Sequence, residues 1–291
     1  MSTTEPPAPG YPNRMSLQLE KLEDLSDTKN PARNQLISLF CSAIYSDGGA
    51  TAASALITDC LSVCGGSTEL LSKVLQTKFV DEKTPLHWVI VNLGIAKGPH
   101  TALPLLVKEI LDCCAPSLSP VAKAGIEMAC CERDDDDLYQ LMMRHELLLS
   151  NADPTSPLFE DPTVKVADNV VTFKIPKFLD QMLVLKMTRF QVISRGALYC
   201  ITFSNTPDRW TFEVVRIGAA PGVKQLSGGI QLVFDCLGEE SVNGAKLGNR
   251  FIFSATYRES RAVGEINLLR KRNNFIGRTD RELSGQIGFP K

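Results

Sequence analysis

The spacing of apolar residues changes once along this chain, and that change limits the fold more than any single motif. From Arg33 to Ser150 apolar side chains recur at steps of three and four, the period of a helix with one buried face. From Val171 onward they alternate, the period of a strand. A sequence patterned for one period cannot bury its apolar face in the other conformation. The switch falls between Asp153 and Pro162, a stretch that holds Pro154, Pro157 and Pro162 and so lacks the N–H groups that would continue a helix. The expectation is a helical domain over residues 16–152 and a β domain over residues 163–291. Residues 1–15 carry four prolines and no periodicity, and are expected to form a disordered tail. With 291 residues, each half is large enough for its own core.

In the helical half, Leu56, Ile57, Cys60, Leu61 and Cys64 share one face before Gly65-Gly66 stops the helix. Leu70, Leu71, Val74 and Leu75 form the next stripe, and Leu103, Leu106, Val107, Ile110 and Leu111 a third. Two further helices are expected over Pro120–Cys131 and Asp136–Leu149. Thr84-Pro85 and Ser119-Pro120 each put an oxygen-bearing cap before a proline at the first helical position, 35 residues apart.

In the β half the alternating sets are Val171, Phe173 and Ile175; Leu183, Leu185 and Met187; Tyr199, Ile201 and Phe203; Ile230, Leu232, Phe234 and Cys236; and Phe251, Phe253, Ala255 and Tyr257. Turn residues such as Arg195-Gly196 and Gly228-Gly229 separate them, with no long helical segment between. Antiparallel strands are therefore expected, packed as a sandwich or a flattened barrel. The fold class is α+β, in more than one domain.

The passage Asp81-Glu82-Lys83-Thr84-Pro85-Leu86-His87 resembles the TPLH signature that opens an ankyrin repeat, and paired helices at about 33 residues are the period of that family. The resemblance covers residues 51–150 as three degenerate repeat-like units. It implies an ankyrin-like α-solenoid in which Thr84, Pro85, Leu86 and His87 are a structural motif: Thr84 caps the helix and His87 fixes the loop between repeats. Glu82 stands where the family usually has glycine, and Val89 and Ile90 replace its paired alanines. The family's use implies binding of other proteins through a concave face and loop tips.

Motifs for chemistry are sparse. His87, His100 and His145 have no spacing suited to zinc, and the cysteines include no C-x-x-C pair, so no metal ligands are expected and the thiols read as core residues. Asp134-Asp135-Asp136-Asp137 lacks the oxygen ligands and glycine of a calcium loop, and reads as acid at a helix N-terminus. Phosphate cradles and nucleophile elbows are missing from the sequence, so no catalytic residue and no cofactor is assigned. Residues 1–150 hold 12 basic and 19 acidic residues, net −7, and residues 151–291 hold 19 and 14, net +5. Within that basic half, Arg270, Lys271, Arg272 and Arg278 are candidates for contact with an anion or a partner. The N-terminus MSTTEPPAPGYPNR has no apolar stretch of a secretory signal, so the expected compartment is the cytoplasm, with the nucleus left open.

The function expected from these features is a non-enzymatic protein–protein adaptor, with a protein as partner and neither membrane nor nucleic acid. A second reading makes the β domain a binder of carbohydrate or anionic lipid, and a third makes the chain an enzyme of unfamiliar type.

Overall fold

The computed structural model describes residues 19, 21–45, 50–94, 100–148, 161–167, 170–205, 210–224, 228–235, 250–257, 261–266 and 283–289. They divide into two units, one within Met1–Gly94 and Pro104–Ser119, the other within Ile95–Leu103 and Pro120–Lys291. The chain is mixed α+β with antiparallel sheets.

The first unit holds α1 (Pro31–Tyr45), α2 (Ala50–Val63), α3 (Thr68–Leu75), α4 (Pro85–Asn92) and α5 (Leu105–Cys113). Their starts are chemically marked. The Asn30 side-chain oxygen accepts the Ala32 and Arg33 N–H groups ahead of α1, and Ser67 Oγ accepts the Leu70 N–H at α3. Thr84 Oγ1 accepts the His87 N–H at α4, with Pro85 in the first turn. Gly65 and Gly66 take positive φ after α2, and the Gly66 N–H returns to the Leu61 carbonyl, closing the helix as the sequence leads one to expect. Helix α1 packs on α2 and α4, and α5 packs on α2, α3 and α4. Leu36, Phe40, Cys60, Val74, Leu75, Val89, Ile90, Val107, Ile110 and Leu111 are fully buried. The hairpin that begins at Pro85 thus lies against the α1–α2 pair, which begins at Pro31, and α3 is added beside α2 and α5.

The second unit holds α6 (Pro120–Arg133), α7 (Asp136–Met143), β1 (Thr163–Ala167), β2 (Val170–Ile175), α8 (Phe178–Val184), β3 (Met187–Ser194), β4 (Ala197–Asn205), β5 (Trp210–Ala219), β6 (Gly228–Asp235), β7 (Arg250–Tyr257), β8 (Arg261–Ile266) and β9 (Leu283–Gly288). The strands form two sheets, ordered β1-β2-β9-β6-β7 and β3-β4-β5-β8, with every pairing antiparallel. Neither sheet closes into a barrel among the described residues, which corrects the flattened-barrel alternative. One buried cluster draws Val171 and Phe173 from β2, Phe190 and Val192 from β3, Tyr199, Ile201 and Phe203 from β4, Phe212 and Val214 from β5, and Leu283 and Ile287 from β9. Phe173, Phe190 and Phe203 meet ring to ring, with centroids 5.4 to 6.4 Å apart.

Three elements, α6, α7 and α8, differ from the sequence expectation. Periodicity groups Pro120–Met143 with the preceding helices, whereas its contacts are with β3, β4, β5 and β1. Leu183 and Leu185 are expected in a strand, but the chain turns at Lys177 into α8 and resumes a strand only at Met187. The reason is visible in the residues: Phe178, Gln181 and Met182 are all buried, at the i, i+3, i+4 spacing that one helix face brings together, whereas an extended chain would turn Gln181 to the face opposite Phe178 and Met182.

The turn before α4 tests how well the ankyrin-like signature suits this chain. Val80 and Lys83 form a β-bridge across Asp81 and Glu82, whose φ values are +50° and +59°. A side chain in that left-handed region costs roughly 1 kcal/mol that glycine avoids. Glu82→Gly is expected to stabilise the chain by about 0.5–1 kcal/mol, while Thr84→Ala, which removes the α4 cap, costs about 1 kcal/mol. Urea unfolding followed by far-ultraviolet circular dichroism checks both; a destabilising Glu82→Gly would show that the glutamate side chain is needed there.

Candidate functional site

Thr84, Pro85, Leu86 and His87 are all buried at the start of α4, and the preceding turn is held by Arg33, whose Nη2 donates to the Phe79 carbonyl at 2.8 Å. The other candidates, Arg270, Lys271, Arg272 and Arg278, lie outside the described residues.

A cleft of about 700 Å³ opens in the helical unit between α2, α3, α5 and the segment from Ala115 to Ser119. Its apolar wall includes Ile57, Leu61, Leu71 and Pro116. Ile57 and Leu61 lie one turn apart on α2 and are only half-buried, unlike Leu56, Cys60 and Cys64 of the same stripe. Its rim carries Glu69, Lys73 and Asp112. Lys73 Nζ lies 2.6 Å from Glu69 Oε1, and Lys108 Nζ lies 2.7 Å from Asp112 Oδ2, each an exposed pair four residues apart on one helix. The Lys73 ammonium holds the Glu69 carboxyl below its usual range.

One residue that the sequence does not single out shapes this cleft. Gln76 Oε1 accepts the Ser119 N–H at 2.6 Å, and its Nε2 donates to the carbonyls of Ser117 at 3.3 Å and Cys114 at 3.4 Å. These bonds fold the segment after α5 back over the end of α3. Their partners are about forty residues away, so no local pattern marks them.

The cysteines near the cleft are protonated at neutral pH. Burial is the main cause in each case: it raises Cys64 to about 11 and Cys114 to about 12, and pushes Cys60 and Cys113 upward as well. Thiols without thiolate character are poor nucleophiles and poor metal ligands. Among the described residues no group of three or more His, Cys, Asp or Glu is placed to hold a metal ion. Nor, among those residues, is any helix long and apolar enough to cross a membrane.

The acidic run is a joint in the strand unit. Asp135 is the N-cap of α7: its Oδ1 accepts the Leu138 N–H at 3.1 Å, as the capping expectation requires. Its Oδ2 lies 3.4 Å from Arg133 Nη2 and 3.2 Å from His100 Nε2. The neighbouring carboxylates reach the β3–β4 hairpin. Asp134 Oδ1 accepts the Gly196 N–H at 2.8 Å, and Asp136 Oδ1 accepts the Ile193 N–H at 2.7 Å. Gln140 Nε2 donates to the Gln191 carbonyl at 2.8 Å, and the Tyr139 hydroxyl donates to Gln191 Oε1.

Burial raises Asp136 to about 6, although the Ile193 N–H and Gln140 both favour its ionised form. Below about pH 4 the carboxyl is protonated in folded and unfolded chain alike. Between there and about pH 6 the unfolded chain releases the proton while the folded chain keeps it, so stability falls as pH rises. Asp136→Asn removes this dependence. Relative to the unaltered chain, the variant should gain about 2–3 kcal/mol between about pH 4 and about pH 7. Urea unfolding of both across that range measures the change, and parallel profiles would contradict a buried, proton-holding Asp136.

No protein-family model matches the chain, and no curated protein sequence matches it significantly, so its functional reading rests on the residues themselves.

Proposed function

We propose that this protein is a non-enzymatic adaptor whose helical unit holds a segment of a protein partner. The observation that carries the reading is the half-buried pair Ile57 and Leu61 on the wall of the 700 Å³ cleft. Partly exposed aliphatic side chains inside a concave site, ringed by polar and charged groups, fit the anchor-and-rim anatomy of protein recognition. An extended or helical segment would place one or two apolar anchors on this wall and meet Lys73, Glu69 and Asp112 at the rim.

The finer fold reading is part of the same proposal. An ankyrin-like stack is supported by the hairpin α4–α5, capped at Thr84, lying against α1–α2, with first helix on first and second on second. An antiparallel sandwich for the strand unit is supported by the single buried cluster drawn from both sheets. The adaptor would act in the cytoplasm, where buried thiols stay reduced, and would need no cofactor.

The test is a photo-crosslinking residue placed at Ser72 in the cleft of the full chain, with the captured protein identified, purified and rebound. Replacing Ile57 and Leu61 together by lysine should weaken that rebinding at least tenfold, since loss of a buried anchor typically costs over 1 kcal/mol. Thermal unfolding should be little changed, because both side chains are already partly in water. Undiminished rebinding by the double variant would remove the cleft from the reading.

A further inference from the structure

Six large apolar side chains are well exposed among the described residues, and three of them fall within five consecutive positions: Leu183 at 60%, Val184 at 65% and Met187 at 45%. Contiguous exposed apolar surface marks a contact site far more than scattered residues do. The segment is firmly held. Phe178 and Met182 are fully buried beneath it, and Gln181, itself 3% exposed, donates to the Pro176 carbonyl and accepts from Thr188 Oγ1, both at 2.9 Å. The Asn205 N–H binds the Lys186 carbonyl at 2.8 Å. The outward apolar residues are therefore presented by a fixed turn. They are not the product of a frayed end.

The residues at each end of α8 add a second, independent observation. Lys177 has φ +48° and Lys186 has φ +59°, both in the left-handed region where glycine is favoured. Lysine is the more costly residue for the backbone at both positions, and both side chains are exposed. Arg189 is exposed two residues beyond Met187, on the same outward side of β3. Asp180, partly buried, is the acidic residue of the helix.

We propose that the α8–β3 turn is a docking surface for an anionic lipid bilayer, with Leu183, Val184 and Met187 entering the headgroup boundary and Lys177, Lys186 and Arg189 meeting the lipid charge. A short aliphatic tip ringed by flexible cations matches that interface, where apolar side chains sink about 5–10 Å and long basic side chains reach back to the headgroups. A protein surface is the poorer match, because the outward residues named here include no aromatic side chain and two lysines, whereas the core of a protein interface is enriched in aromatic residues and depleted in lysine. The residues all belong to the strand unit, and the proposal does not depend on the adaptor reading of the helical one.

Vesicle co-sedimentation of the full chain, with phosphatidylcholine alone and with added phosphatidylserine, tests it. Binding should require the anionic lipid and weaken with salt. Lys177→Gly and Lys186→Gly should each weaken it about fivefold and together roughly 25-fold, while thermal unfolding holds or rises because glycine suits both positions. Leu183→Glu with Val184→Glu should abolish binding without unfolding the chain. Equal binding to both vesicle types, binding to neither, or anionic binding unchanged in the lysine variants would overturn the proposal. So would binding of a purified protein through Leu183 and Val184 in the absence of any vesicle binding.

Discussion

The strand unit depends on how its exposed edge at β3 is closed. Among the described residues β3 is the first strand of its sheet, so one side of it offers backbone groups with no neighbouring strand there. Such an edge invites another chain to pair with it unless something covers it. Here the cover is α7. Asp136 accepts the Ile193 N–H and Gln140 donates to the Gln191 carbonyl, two residues apart and therefore on the same side of the strand. Asp134 does the same for the Gly196 N–H at the tip of the hairpin. Side chains thus replace the missing strand. A carboxylate is a strong acceptor for a buried N–H, and the cost of burying it appears as a proton affinity raised far above that of an ordinary aspartate.

This edge closure explains why α6 and α7 keep the company they do. Their apolar stripes are legible in the sequence, and Ile126, Ala129, Cys130, Leu138 and Met142 are buried as that pattern requires. A stripe states that a helix has a buried face but not what lies against it. What fixes the partner is the polar run Asp134–Asp137 between the helices, and its local reading as helix-capping acid accounts for Asp135 alone. The bonds of Asp134 and Asp136 span 62 and 57 residues, beyond the reach of any windowed pattern.

The same division between local and distant information runs through the candidate sites. Caps, glycine stops and the alternation of β2 and β4 are written within a few residues and can be read there. Ile57 and Leu61 sit in a stripe that the sequence marks correctly, yet their partial exposure depends on where α5 and the Gln76-bound segment lie. Leu183, Leu185 and Met187 alternate like strand residues, while the equally local spacing of Phe178, Gln181 and Met182 is that of one helix face. Two short patterns compete there. The helical one prevails: Phe178, Gln181 and Met182 are buried together, while Leu183 and Val184 are left exposed.

Left-handed backbone links these observations. Among the described residues the non-glycine positions with positive φ are Asp81, Glu82, Asp134, Lys177, Lys186 and Arg195, and every one carries a charge. Aspartate tolerates that conformation, as asparagine and glycine do, but the glutamate, the two lysines and the arginine are not what turn formation alone would select. For Asp134 the use of the charge is visible, since its backbone turns left-handed after α6 and its carboxylate accepts the Gly196 N–H. That case sets the standard for the others: a strained charged residue is accounted for once its side chain is matched to a group that needs it. For Lys177 and Lys186, exposed at the two ends of a buried-anchored helix, the proposed anionic bilayer is the group that would use them.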